Sequence, residues 1–259
     1  MGDIVRALGR ALRSIMRRDI FWHLLWPGVA ATVVWIGIAV AAWSPLIDAL
    51  MGWIEGLTWV GGWISASELT AAVVLVLLKI AVALAFVPLI YVSAAIIVAV
   101  VALPMMLERV AVRDYADLER RHGGSNLGSV WNALGATALF MLALLLSLPF
   151  WLIPGVGLVV SVLLTGWLNQ RAFGYDALML HADRAELADL PRRERMGMLA
   201  LGGSTAMLAY VPVVNFIAPA FAGLAFVHYM LEALRRERVA RGVTLLDPAP
   251  AAANLPRVL

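Results

Sequence analysis

Four long apolar stretches, residues 20–43, 69–107, 131–168 and 197–231, decide what this 259-residue chain can become. A bilayer's hydrocarbon core is about 30 Å thick, and a helix crosses it with roughly 20 apolar residues. All four stretches reach that length. The whole chain is 63% hydrophobic and 14% charged, whereas soluble domains are about 45 to 50% apolar and about 25% charged. An ordinary water-soluble enzyme and a disordered chain are both excluded, and the chain reads as an all-α integral membrane protein. It has no cysteine, which removes disulfide frameworks and thiolate-ligated zinc or iron-sulfur centres. No cofactor is signalled.

Charge placement sets the expected topology. The polar segments 1–19, 44–68, 108–130, 169–196 and 232–259 carry 5, 0, 4, 5 and 5 of the 20 Lys and Arg residues, and Lys79 is the remaining one. Positive residues collect on the cytoplasmic side of membranes, so only residues 44–68 are expected outside and both termini inside. The first two stretches then cross once each, while the third and fourth enter and return as hairpins. The net charge of +3 is read as this orienting bias, and nucleic acid is not among the expected partners.

In residues 1–19, Ile4, Val5, Leu8, Leu12, Ile15 and Met16 share one helical face, and Arg6, Arg10, Arg13 and Arg17 the opposite one. This pattern predicts a helix lying in the headgroup region rather than a signal peptide. Ser44-Pro45 followed by Leu46, Leu50, Trp53, Leu57, Val60 and Ile64 predicts a second amphipathic helix on the outer surface, with Trp43, Trp53, Trp59 and Trp63 as belt residues. The 69–107 stretch has no polar turn and is expected to be one long helix bent at Pro88. Proline and glycine break the third stretch at Ile153-Pro154-Gly155-Val156-Gly157, and Val211-Pro212-Val213-Val214-Asn215 breaks the fourth. The second hairpin's arms are short for full spans, so partial entry is expected. Residues 172–196 form a cytoplasmic connector, and the tail 247–259 is expected to be disordered.

Catalytic motifs are missing: there is no GxSxG, HExxH, Walker loop or Rossmann glycine fingerprint. Asp176, His181 and Asp183 read either as a metal cluster or as a helix cap with salt bridges. Lys79 is the one ionisable residue well inside an apolar stretch. It reads either as an attractor for an anion crossing the protein or as a side chain snorkelling to the outer interface. The broken hairpins either present backbone amides to an anion, with Asn215 adding a polar side chain, or simply turn the chain.

The run ending in Ile153-Pro154-Gly155-Val156-Gly157, then Tyr175-Asp176, then Val211-Pro212-Val213-Val214-Asn215-Phe216 with Pro219 resembles the CysZ family, related to the etoposide-induced protein family. The resemblance covers most of the chain and is most specific from about residue 145 to 235. It implies two long transmembrane helices with partially penetrating hairpins, and sulfate entry across a bacterial inner membrane without a dedicated ATPase. The family binds sulfate at a Gly-hydrophobic-Arg-Arg turn before the proline that opens the first long helix. Aligned through Pro27, that turn falls on Asp19-Ile20-Phe21-Trp22, with Arg17 and Arg18 shifted beside it. The exit motif here is Tyr-Asp-Ala rather than Asp-Tyr-Pro.

The expectation is a single domain over residues 1–246 that transports a small, sulfate-like anion. Arg17, Arg18 and Lys79 would supply attraction, and Pro154, Gly155, Gly157, Pro212 and Asn215 would line the path. The alternative is a non-transporting membrane scaffold. Intramembrane polar residues are too few for a wide pore in one subunit, which raises the expectation of a homo-oligomer.

Overall fold

The computed structural model describes residues 1–57, 61–62, 66–211, 214–243 and 245–246. Trp59, Val60, Trp63, Ile64, Pro212, Val213 and the tail 247–259 lie outside the described residues. Among the described residues the chain is helical, with no strand. The helices are α1 (Gly2–Ile15), α2 (Arg18–Glu55), α3 (Glu68–Ile97), α4 (Leu103–Asp114), α5 (Asn126–Ser147), α6 (Val156–Leu178), α7 (Arg184–Arg193), α8 (Arg195–Met207) and α9 (Ala218–Ala240). Four segments, Arg18–Glu55, Glu68–Asp114, Asn126–Leu152 and Val156–Leu178, are long and apolar enough to cross a membrane. The chain groups into two compact units, residues 22–102 and residues 1–21 with 103–259.

In the first of these units α2 and α3 meet through Trp35. Its indole Nε1 donates to Ser93 Oγ at 2.9 Å, and its ring lies edge-on to Phe86 with centroids 5.9 Å apart. The helix does not stop at residue 43. It continues through Pro27 and Pro45 to Glu55, so a separate surface helix opening at Ser44 is corrected to a continuation of α2. An interior proline costs about 3 kcal/mol. Ending the helix instead would leave up to four amides and four carbonyls without partners, each costing several kcal/mol in an apolar setting. The same reasoning covers Pro88, which α3 also absorbs. The irregularity in this segment comes ten residues later, as a wide π turn at Val98–Ala102.

In the other unit α9 is the centre. Residues 222–231 are buried throughout, and α1, α4, α6 and α8 pack around it. Gly223 makes room for α4: a Cβ there would come within 2.9 Å of the Leu103 side chain. The hairpin of α5 and α6 turns through a 3-10 turn at Leu148–Leu152 and Gly155, whose φ of 82° needs a residue without a Cβ. The break expected in residues 152–157 is therefore realised. α8 and α9 likewise reverse through short 3-10 turns at Leu208–Tyr210 and Val214–Phe216.

A candidate anion-binding cleft

The arginines of α1 recur every three or four residues, so one row of the helix is basic. The neighbouring row is small: Ala7, Ala11 and Ser14 are 3%, 0% and 2% exposed and let α1 seat closely on α9. This docking carries Arg10, Ser14 and Arg17 to the end of α4 and to the polar C-terminal half of α9. The result is an open cleft of about 510 Å³ lined by Arg10, Arg13, Ser14, Arg17, Asp114, Tyr115, His228 and Arg235.

Its floor is a chain of hydrogen bonds. The Tyr115 hydroxyl donates to the His228 carbonyl at 3.0 Å, so its oxygen accepts from His228 Nδ1–H at 3.1 Å. That tautomer leaves Nε2 to accept from the Ser14 hydroxyl at 2.9 Å. Ser14 Oγ in turn accepts from Arg17 Nη2 at 2.7 Å. Burial pushes the Tyr115 phenol up to about 12, with the Arg10 guanidinium opposing, so it stays protonated and keeps this polarity.

The walls are charged. Arg17 forks onto Asp114 at 2.8 and 3.1 Å. Arg10 bonds Glu232 at 2.7 Å, and Arg235 bonds Asp117 at 2.6 Å while its guanidinium lies 4.9 Å from the Tyr115 ring centre. Four guanidinium groups thus face three carboxylates. Arg13 is exposed and has no ion pair among the described residues. Arg17 Nε and Arg235 Nε are buried donors with no hydrogen-bond acceptor in the protein. The excess cation makes the cleft chemically suited to an oxyanion, whose lone pairs can accept from several guanidinium N–H groups at once.

The structure gathers only part of the site expected from sequence. Arg17 lines the cleft, while its neighbour Arg18 is exposed and outside it. Lys79 sits on the exposed side of α3. Pro154 and Gly155 form the exposed tip of the α5–α6 turn, Gly157 is buried against the Trp151 ring, and Asn215 is exposed at the other turn. Asp183 caps α7 through Ala185 and Glu186 amides, and Asp176 accepts from Ser129, which favours the cap reading over a metal cluster. Asp114, Tyr115, His228 and Arg235 were not singled out from the sequence, where no motif marks them.

A second ionic group is buried near the C-terminal end of α9. Arg238, 1% exposed, donates to Glu186 at 3.0 and 2.8 Å and to the carbonyls of Glu119 and His181 at 3.0 and 2.7 Å. Burial alone would raise the Glu186 pKa, but the Arg238 bond brings it below the ordinary value, so the pair is ionic.

The family described as "Sulfate transporter CysZ/Etoposide-induced protein 2.4" matches residues 7–219. The chain belongs to the CysZ family. No individual curated protein matches it. The family is one of transporters rather than enzymes, and the match covers Arg10, Arg13, Arg17, Asp114 and Tyr115 of the cleft. His228 and Arg235, on α9, lie beyond the matched residues.

Proposed function

We propose that the protein admits a small oxyanion of the sulfate type across a bacterial inner membrane, with both termini in the cytoplasm and the arginine cleft as its cytoplasmic anion site. Two long helices span the bilayer, and the hairpins of α5–α6 and α8–α9 enter from the cytoplasmic side. One observation carries this reading: the excess of guanidinium over carboxylate around the cleft. Membership of a family described as sulfate transporters supports it.

A tetrahedral dianion arriving in the cleft would compete with Asp114 for Arg17, as an anion with more acceptor lone pairs than a carboxylate can. Exchange of carboxylate for ligand keeps the cations neutralised when the site is empty and makes release easy. Tight binding without release would stop flux, so a partly compensated site suits passage better than a fully cationic one.

Sulfate uptake into proteoliposomes tests the proposal, with sulfite and chloride as competitors. Saturable uptake is expected, reduced about tenfold or more in Arg17→Gln and Arg235→Gln, as loss of a charge-assisted bond implies. The Lys79→Leu variant reports whether the intramembrane lysine shares the path. No uptake above empty liposomes, with folded protein confirmed, removes the transport reading and leaves the scaffold one.

A further inference from the structure

α1 has three faces. One packs on α9, and one is the arginine row. The third exposes Met1, Val5, Leu12 and Met16, which are 99%, 68%, 54% and 75% accessible. At 100° per residue these four project within an arc of about 60°. Gly9 separates this apolar stripe from Arg6 and Arg13, and a Cβ built on it would meet nothing within 4 Å. Apolar and cationic surface therefore adjoin with no side chain standing between them.

An occupant that fits must be apolar and anionic at adjacent levels, which describes the headgroup boundary of an anionic phospholipid leaflet. Chain connectivity puts α1 at such a boundary, because α2, long and apolar enough to cross a membrane, begins three residues after α1 ends. The cations are available. Arg13 is exposed and has no ion-pair partner among the described residues, and Arg6 is 69% exposed, held by the neighbouring Asp3 and the Gly2 carbonyl. Arg10 and Arg17, by contrast, are engaged by Glu232 and Asp114.

We propose that α1 is an anionic-phospholipid docking helix, in which Val5, Leu12 and Met16 enter the interface and Arg13, with Arg6 beside it, holds the lipid phosphate. This site shares Arg13 with the rim of the small-anion cleft, but its apolar contacts, Val5, Leu12 and Met16, are not among the residues that line the cleft, and it stands whether or not the protein carries sulfate.

Native mass spectrometry of the full chain in neutral detergent tests it, with phosphatidylglycerol, phosphatidylcholine and inorganic phosphate as probes. Phosphatidylglycerol is expected to be retained over phosphatidylcholine. Arg13→Gln should lower that retention about fivefold, the ratio corresponding to about 1 kcal/mol per interfacial cation. The double variant Val5→Ser/Leu12→Ser should lower it too while leaving phosphate binding unchanged. All of these side chains are exposed, so an unaltered melting temperature is the control. Equal retention of the two lipids overturns the proposal, as does unchanged retention in both variants. Displacement of the lipid by inorganic phosphate, with the serine variant retaining it normally, also overturns it by marking a free-anion site.

Discussion

Arg238 shows what a single side chain does in this protein. Its guanidinium ties α9 to the α7 cap at Glu186 and to two carbonyls in the preceding loops, where solvent does not reach. Arg238→Met leaves the buried Glu186 carboxylate with only the longer Arg121 ion pair at 3.7 Å, and the expected cost is about 3 kcal/mol. Thermal denaturation in detergent measures this, and adding Glu186→Gln should recover part of the loss by removing the stranded charge. His181, beside the same pair, makes a second prediction. Burial, with the Arg120, Arg238 and His122 charges adding, lowers its pKa from 6.5 to about 4. Between those values the unfolded chain binds a proton that the folded chain refuses, so stability is complete above 6.5 and declines as the pH falls toward 4. His181→Gln should flatten that part of a melting-temperature profile.

Among the elements, the crossing of α6 and α8 is set by glycine. A Cβ at Gly202 would lie 2.3 Å from the Gly166 carbonyl oxygen, and one at Gly166 would lie 2.7 Å from the Gly203 amide nitrogen. The two backbones touch, which is how helices gain packing where no hydrophobic drive exists between them. Gly202→Ala should cost about 1–3 kcal/mol through forced separation. Gly203→Ala is the internal control, since its Cβ would meet nothing within 4 Å. The α5–α6 turn was legible in advance because Pro154 and Gly155 act through their own backbones. The helix break expected at Ser44-Pro45 was not realised, because a proline signal is local while the gain from continuing α2 accrues along the whole segment.

For the whole molecule the arginine asymmetry makes a topological prediction. The protein has no cysteine, so a single introduced thiol reports without background. Asp48→Cys should react with a membrane-impermeant maleimide added outside intact cells, and Arg241→Cys only after the membrane is opened. Labelling of both from outside would contradict the cytoplasmic placement of the C-terminal helix. Together with the uptake and lipid-retention measurements, this fixes on which face the cleft opens.

Apolar length, arginine distribution and the proline-glycine breaks are properties of neighbouring residues, so the sequence by itself determined an all-helical chain with long apolar helices, the break between α5 and α6 and the basic row of α1. The cleft is of another kind. Arg10 meets Glu232 across 222 positions and Ser14 meets His228 across 214, and none of these residues carries a local signal of its partner. Only the tertiary structure decided that Arg17, in the bend between α1 and α2, faces the cleft while Arg18, the first residue of α2, does not. The packing of small alanines against α9, rather than the leucines that dominate the hydropathy, chose which face of α1 turned inward.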